Sequence, residues 1–251
     1  MNRTSKPGAG RTFFVGDLHL SDERPAATGR FFRFLDEDVA GADALYILGD
    51  LFEAWVGDDH DEAVAHETAR RLRTLADAGT PVYFLHGNRD FMLARRYAER
   101  AGIALLTDPV RVELYGVPTL LMHGDTLCTD DIAYQTFRRR VRHPLTLALL
   151  RLLPFALRRR LARGARAGSE SAKAAKPAAI MDVNEMEVTR VFRGSNACRL
   201  IHGHTHRPAM HTHTVDSREC ERWVVPDWYA RWGYVACSTA GCILHVDGAD
   251  T

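Results

Sequence analysis

The sequence predicts an α/β layered fold with parallel strands at its centre. Three observations carry that prediction. Short apolar runs rich in β-branched and aromatic residues recur along the chain, each meeting a Gly and an Asp, Asn or His at its end. Segments of helical period lie between the runs. The resulting order of strand, helix, strand, helix is that of parallel strands joined by crossovers, with the helices laid on the sheet. With 251 residues, 46% of them hydrophobic, residues 1–251 can form one domain around a large core.

The elements follow in order. Residues 1–11 are polar, with Gly, Pro and basic side chains, and read as a loose tail without a secretory signal. The first run, 12–19, ends in Gly16, Asp17 and His19. An amphipathic segment at 31–39 places Phe31, Phe34, Leu35 and Val39 on one face. The second run, 44–50, ends in Gly49 and Asp50. A helix over 61–78 carries a stripe of Val64, Thr68, Leu72 and Leu75, and Gly79 and Pro81 stop it. The third run, 82–90, ends in Gly87, Asn88, Arg89 and Asp90, and a helix over 90–101 follows. The fourth run, 120–125, ends in His123 and Gly124.

The alternation then breaks. Residues 130–194 read as an inserted helical cap, with helices at 130–141, at 144–161 interrupted by Pro154, and at 182–192, where Asp182 stands at the start. Residues 164–179, rich in Ala, Ser, Gly and Lys, read as a loop. The fifth run, 200–206, ends in Gly203, His204 and His206. Short strands such as 223–225 and 242–246 are expected to complete a second sheet.

Net charge is +1, from 33 Lys+Arg against 32 Asp+Glu, and gives no reason to expect a nucleic-acid partner. The distribution is uneven: residues 138–166 hold many arginines and no acid. The five cysteines, Cys128, Cys198, Cys220, Cys237 and Cys242, are odd in number and lack CxxC spacing. A disulfide framework or structural zinc site is not expected, and a reducing cytosol fits. No stretch has the roughly 20 apolar residues a membrane span needs.

The five run ends supply Asp17, His19, Asp50, Asn88, His123, His204 and His206. Asp17 and His19, like His204 and His206, are two apart and share a side of an extended segment. If these strand ends meet at one edge of a sheet, they surround a metal pair. A mixed oxygen and nitrogen set suits Mn, Fe or Zn better than Mg or Ca. Seven ligands exceed the needs of one ion and suit two. Two divalent ions roughly 3.5–4 Å apart activate water near neutral pH and clamp a phosphoryl oxygen. A lone Gly-Asp or His at a strand end is ordinarily a turn residue, but five in register with a D-x-H and a G-H-x-H are hard to obtain by chance. His86 and His202 point the opposite way and read as structural, as do His211 and His213 on a later polar strand.

These motifs resemble those of the calcineurin-like metallophosphoesterases, in the family's order. The resemblance implies a two-sheet α/β sandwich flanked by helices, carrying the inserted cap. It implies one ion on Asp17, His19, Asp50 and His206, another on Asp50, Asn88, His123 and His204, and Asp50 as the bridge. Longer strings at 42–55, 86–91, 122–131, 179–184 and 200–208 are similar to the UDP-2,3-diacylglucosamine hydrolases within it. That likeness implies pyrophosphate cleavage of UDP-2,3-diacylglucosamine to UMP and 2,3-diacylglucosamine 1-phosphate (lipid X) in lipid A synthesis. It also implies two Mn2+ ions and a peripheral place on the cytoplasmic side of the bacterial inner membrane. Asp50, Asn88, Arg89 and His123 become the expected catalytic residues. Asn88, Arg89, Asp131, Ser169, Lys173, Lys176 and His204 become the expected substrate contacts, although the family often has Asn where Lys173 stands. A monomer is expected. Residues 228–240 do not contribute to the resemblance.

Two features of the chain agree. An arginine gives up no proton at neutral pH but neutralises phosphate bidentately. Cleaving a pyrophosphate expels a phosphate, which needs no proton to leave, so Arg89 after Asn88 favours a diphosphate substrate over an alkyl ester. The Leu-rich segment 144–161 ends near Arg158, Arg159 and Arg160, a composition that suits acyl chains and an anionic surface. The alternatives are a phosphoesterase of soluble nucleotides or dinucleoside polyphosphates, which leaves the apolar cap unexplained, and a scaffold without metals, which leaves seven competent ligands unexplained.

Overall fold

The computed structural model describes residues 10–174, 180, 182–229 and 231–247, without the side chains of residue 167 and residues 169–174. Residues 1–9 of the expected tail lie outside the described part.

The first sheet has six strands. β1 (Thr12–Val15), β2 (Ala44–Ile47), β3 (Val82–Phe84) and β4 (Ile103–Leu105) run parallel in that order. β5 (Val110–Leu114), β6 (Val117–Leu121), β7 (Arg199–His202), β8 (Ala209–Val215) and β9 (Arg218–Val224) form a second sheet in the order β5-β6-β7-β9-β8. β10 (Trp232–Ser238) and β11 (Gly241–Asp247) return to the first sheet, β10 lying antiparallel to β1. The C-terminal expectation is thus half corrected. Residues 223 and 224 end a strand of the second sheet, but 242–246 lies at the edge of the first, because β10 takes the free side of β1.

The unbroken apolar runs follow from burial on both faces. In β1, Phe13 and Val15 join the core under the helices, while Phe14 joins Tyr46, Leu48, Leu121, Ile201 and Val225 between the two sheets. The first core is covered by α1 (Pro25–Phe34), α2 (Ala63–Asp77) and α3 (Arg95–Ala101). A π-helical turn, Leu35–Val39, continues α1. The helix expected from residue 90 begins only at Arg95, because the Asp90 side chain is drawn into the core.

The insertion contains α4 (Ile132–Val141), α5 (Pro144–Leu152), α6 (Phe155–Ala174) and α7 (Glu185–Ser195). Pro154 separates α5 from α6, as its missing N–H requires. The loop expected over 164–179 is helix through Ala174, so that part of the expectation fails, and residues 175–179 lie outside the described residues. Alanines such as Ala162 and Ala165 sustain the helix and offset the cost of Gly164 and Gly168, about 1 kcal/mol each. Asn184, not Asp182, caps α7, accepting from the N–H groups of Met186 and Glu187. Val188 and Phe192 of α7 pack on the second sheet, so the part standing off the sandwich is α4 to α6. No residue of α4 or α5 is buried.

A disulfide joins Cys237 to Cys242, against the cysteine reading. The two residues face one another across the β10–β11 hairpin. Counting cysteines and searching for CxxC does not register a cross-strand pair.

Candidate metal centre

The seven strand-end residues converge, but not at the edge of one sheet. Asp17 and His19 follow β1, Asp50 follows β2 and Asn88 follows β3 in the first sheet. His123 follows β6, and His204 and His206 follow β7, in the second. β6 and β7 pair with each other rather than with β3, so the site straddles one end of the sandwich. The expected placement is corrected accordingly.

Five of the seven sit in left-handed backbone: Asp17 (φ 51), His19 (φ 49), Asp50 (φ 53), His204 (φ 70) and His206 (φ 55). Such conformations cost of order 1–3 kcal/mol each and persist only where the surroundings over-determine them. Here the surroundings are neighbouring loops in close contact. A Cβ on Gly49 would lie 2.6 Å from the Gly87 Cα and 2.7 Å from His123 Nδ1, and one on Gly87 would collide with Asp50 Oδ1. Glycine beside the ligand position lets the β2, β3 and β6 loops touch.

The Asp50 carboxylate stands between two groups. Its Oδ2 lies 3.8 Å from His19 Nε2 and its Oδ1 lies 4.0 Å from His123 Nε2. On one side, His206 Nε2 is 3.5 Å from Asp17 Oδ1. On the other, Asn88 Oδ1 is 3.0 Å from His123 Nε2 and 3.1 Å from His204 Nδ1. Donor atoms of Asp17, His19 and His206 lie within 4.8 Å of one another, as do those of Asp17, Asp50 and His123.

The chemistry of this donor set fits divalent metal. Asp17 Oδ1 and both ring nitrogens of His19 are buried and find no hydrogen-bond partner among the described residues. Burial holds His19 well below the usual histidine range, so it is the neutral imidazole that would be offered to a metal. Burial works to raise Asp17, yet the close contact and charge of His206, 3.5 Å away, hold it below the usual carboxylate range. Burial raises Asp50 to about 7, with His123 opposing and Asp90 and Asp17 adding. Burial disfavours charge on His123, but Asp50 and Asp125 outweigh it and raise the ring to about 9. The buried carboxylates therefore favour positive charge in the site, which a divalent cation would supply.

Outer contacts fix the set. His123 Nδ1 donates to the Leu48 carbonyl at 2.8 Å, which turns Nε2 toward Asp50 and Asn88. The Arg89 N–H donates to Asp50 Oδ1 at 2.8 Å. The buried Asp90 accepts from the N–H groups of Leu51 at 2.7 Å, Gly87 at 2.9 Å and Asp50 at 3.3 Å, joining the β2 and β3 loops. A cavity of about 240 Å³ opens above, lined by His19, Asp50, Asn88, Arg89, His204, His206 and Tyr229.

Arg89 thus lies in the cavity wall, as expected. Asp131 is placed elsewhere: it caps α4, accepting from the Tyr134 N–H at 3.0 Å, and does not line the cavity. Ser169 and Lys173 fall on the α6 backbone with side chains outside the described part, and Lys176 lies outside the described residues. His86 and His202 are structural, meeting the carbonyls of Leu93 and Gly203. His213 pairs with Glu185, away from the cavity. Sequence reasoning missed Asp90, whose position after Asn88 is a usable signal. It also missed Tyr229, whose ring lies 4.9 Å from that of His19 and 5.6 Å from that of His206. Nothing in the local sequence marks Tyr229. The preceding Trp228 N–H binds the Asp17 carbonyl at 3.1 Å and brings it there.

Comparison with known proteins agrees with this geometry. Residues 10–208 match the model of the calcineurin-like phosphoesterase family. The chain is 48% identical over 238 residues to a UDP-2,3-diacylglucosamine hydrolase of Azotobacter vinelandii, covering 95% of each chain. It is 51% identical over 215 residues to one of Pseudomonas aeruginosa, covering 86% of this chain and 90% of that one. It is 46% identical over 233 residues to one of an Enterobacter species, covering 93% and 97%. The chain belongs to the calcineurin-like phosphoesterases, hydrolases whose domain binds divalent metal.

Proposed function

We propose that this phosphoesterase hydrolyses the pyrophosphate bond of UDP-2,3-diacylglucosamine, giving UMP and 2,3-diacylglucosamine 1-phosphate (lipid X), with two Mn2+ ions. The substrate class comes from the names of its relatives. The observation that carries the two-ion site is Asp50, whose two oxygens face His19 on one side and His123 on the other. Asp17, His19, Asp50 and His206 would hold one ion, and Asp50, Asn88, His123 and His204 the other. When bound, such a pair polarises phosphoryl oxygens and makes water acidic enough to attack near neutral pH.

The chain's own groups do the rest. Arg89 brings a guanidinium to the cavity wall beside Asn88, where it can bind the diphosphate and neutralise the charge of the departing phosphate. Tyr229 also lines the cavity, with the Arg24 guanidinium 4.3 Å from its ring centre. The cap, residues 130–194, receives the acyl chains: Leu145 is 70%, Leu149 65% and Leu152 81% exposed. Each methylene removed from water there contributes about 0.8 kcal/mol. Arg159 and Arg160 are exposed and suit the anionic surface of the inner membrane. Arg158 does not share that role. It is buried, paired with Asp59 and bonded to the Val56 carbonyl, and ties α6 to the sandwich.

Hydrolysis in ¹⁸O-labelled water tests the reaction. The products are UMP and lipid X, with the label in UMP. Label in lipid X would place attack on the other phosphorus. A manganese-loaded wild type that releases neither product would refute the proposal.

A further inference from the structure

On α4, Tyr134, Arg138 and Arg142 follow at four-residue spacing, which stacks them on one stripe. All three converge on one atom. The Tyr134 hydroxyl donates to Asp125 Oδ2 at 2.8 Å, Arg138 Nε donates to it at 2.6 Å, and an Arg142 nitrogen approaches at 3.5 Å. Asp125 is fully buried, two residues after His123. The stripe reaches further: Arg142 also donates to the Gly87 carbonyl at 2.8 Å, next to Asn88, and the Tyr134 ring stands 5.8 Å from that of His204. One face of a cap helix thereby touches the loops of Asn88 and His123 and the ring of His204. Asp17, His19 and His206 are braced instead from the C-terminal side, by Trp228 and Tyr229.

We propose that Asp125, Arg138 and Arg142 are positioning residues for the Asn88–His123–His204 half of the site, so that ion affinity there and the order of α4 are coupled. The inference rests on the two-ion reading above. Coupling is reciprocal: a helix that holds the loops ready for the ion is itself steadied when the ion binds. Removing an outer contact of a metal ligand typically weakens metal binding 10–100-fold. Arg139 and Arg140 lie on the exposed face of the same helix and stand outside the tie.

The test uses the full chain and manganese alone. Calorimetric Mn2+ titration is combined with amide hydrogen exchange on wild type, Arg142→Ala, Arg142→Lys and, as control, Arg140→Ala. In wild type and the control, Mn2+ should slow exchange both in residues 132–141 and in residues 17–20. In Arg142→Ala, one class of Mn2+ site should weaken about tenfold while the other holds. Protection of 17–20 should persist and that of 132–141 should be lost. Arg142→Lys keeps charge beside Asp125 without the two-pronged reach, and should fall between. If the alanine variant does not fold, a loss of about threefold in one class with the lysine variant supports the tie, and none overturns it. Wild-type affinities and wild-type α4 protection in Arg142→Ala, or equal weakening of both classes, also overturn it. If Mn2+ protects neither segment in wild type, the metal reading itself has failed and the coupling falls with it.

Discussion

The rim of the sandwich and the cap spend their apolar residues in opposite ways. Beneath the site, Phe13, Phe14, Val15, Ile47 and Phe84 are wholly buried, and the loops they anchor touch closely enough to exclude a Cβ at Gly49. On the cap, Leu145, Leu149 and Leu152 of α5 stand largely in water, and α4 and α5 bury no residue fully. The rim is a rigid frame whose strained backbone is held by packing, which is what fixed ligand geometry requires. The cap helices α4 to α6 are joined to it by arginines, through Asp125, Asp59 and, at 2.9 Å from Arg166, Glu53, and by Leu147 and Leu150, which pack on the core under the helices. One region therefore carries stability and chemistry together, while the other presents apolar surface that contributes little to folding.

Substitutions should separate the two regions. The largest effect belongs to the rim. His123→Ala should lower kcat by about 10³-fold or more, since several kcal/mol of charge stabilisation depend on the ion it would hold. The fold should survive, by circular dichroism, because strands β6 and β7 are untouched. Near wild-type kcat would remove His123 from its role. Asp50→Ala should go further and lose both ions in metal analysis. Arg89→Ala should cost roughly 2–4 kcal/mol in kcat/KM, measured on the acylated substrate, and an unchanged value would reduce Arg89 to a structural residue. Gly49→Ala should cost at least about 2 kcal/mol of stability in urea unfolding, from overpacking at a left-handed position. A variant as stable as wild type would show that the rim is softer than argued.

The smallest effect on stability belongs to the cap. Leu149→Glu and Leu152→Glu should stay within about 0.5 kcal/mol of wild type yet raise KM for the lipid severalfold. Unchanged KM would sever the cap from the acyl chains. Neutralising Arg159 and Arg160 should weaken binding to anionic vesicles at low salt, and added salt should erase that difference because screening acts on exposed charge.

The same contrast explains what the sequence disclosed. The rim was legible because burial on both faces makes a strand read as an unbroken apolar run, and its ligands follow at once. The seven candidate ligands were legible on that signal, and Arg89 through the resemblance and its place after Asn88. The split of those strands between two sheets was not legible from periodicity, which is blind to pairing partners. Tyr229 was missed because it reaches the cavity through Trp228, far along the chain. In the cap, the Ala-rich stretch after Gly164 was read as a loop because its polarity masked its helix propensity. Arg158 looked like surface charge because composition cannot show that Gly57 leaves room for its guanidinium.

The division of labour between rim and cap is tested most directly by manganese-dependent release of UMP. UDP-2,3-diacylglucosamine and UDP-N-acetylglucosamine are compared at equal concentration with wild-type protein. Both carry the diphosphate that the rim would cleave, and only the first carries the chains that the cap would bind. The account predicts strong preference for the acylated substrate and no turnover of either after the metal is chelated. Equal turnover of the two would contradict it and leave a phosphoesterase of soluble nucleotides in its place.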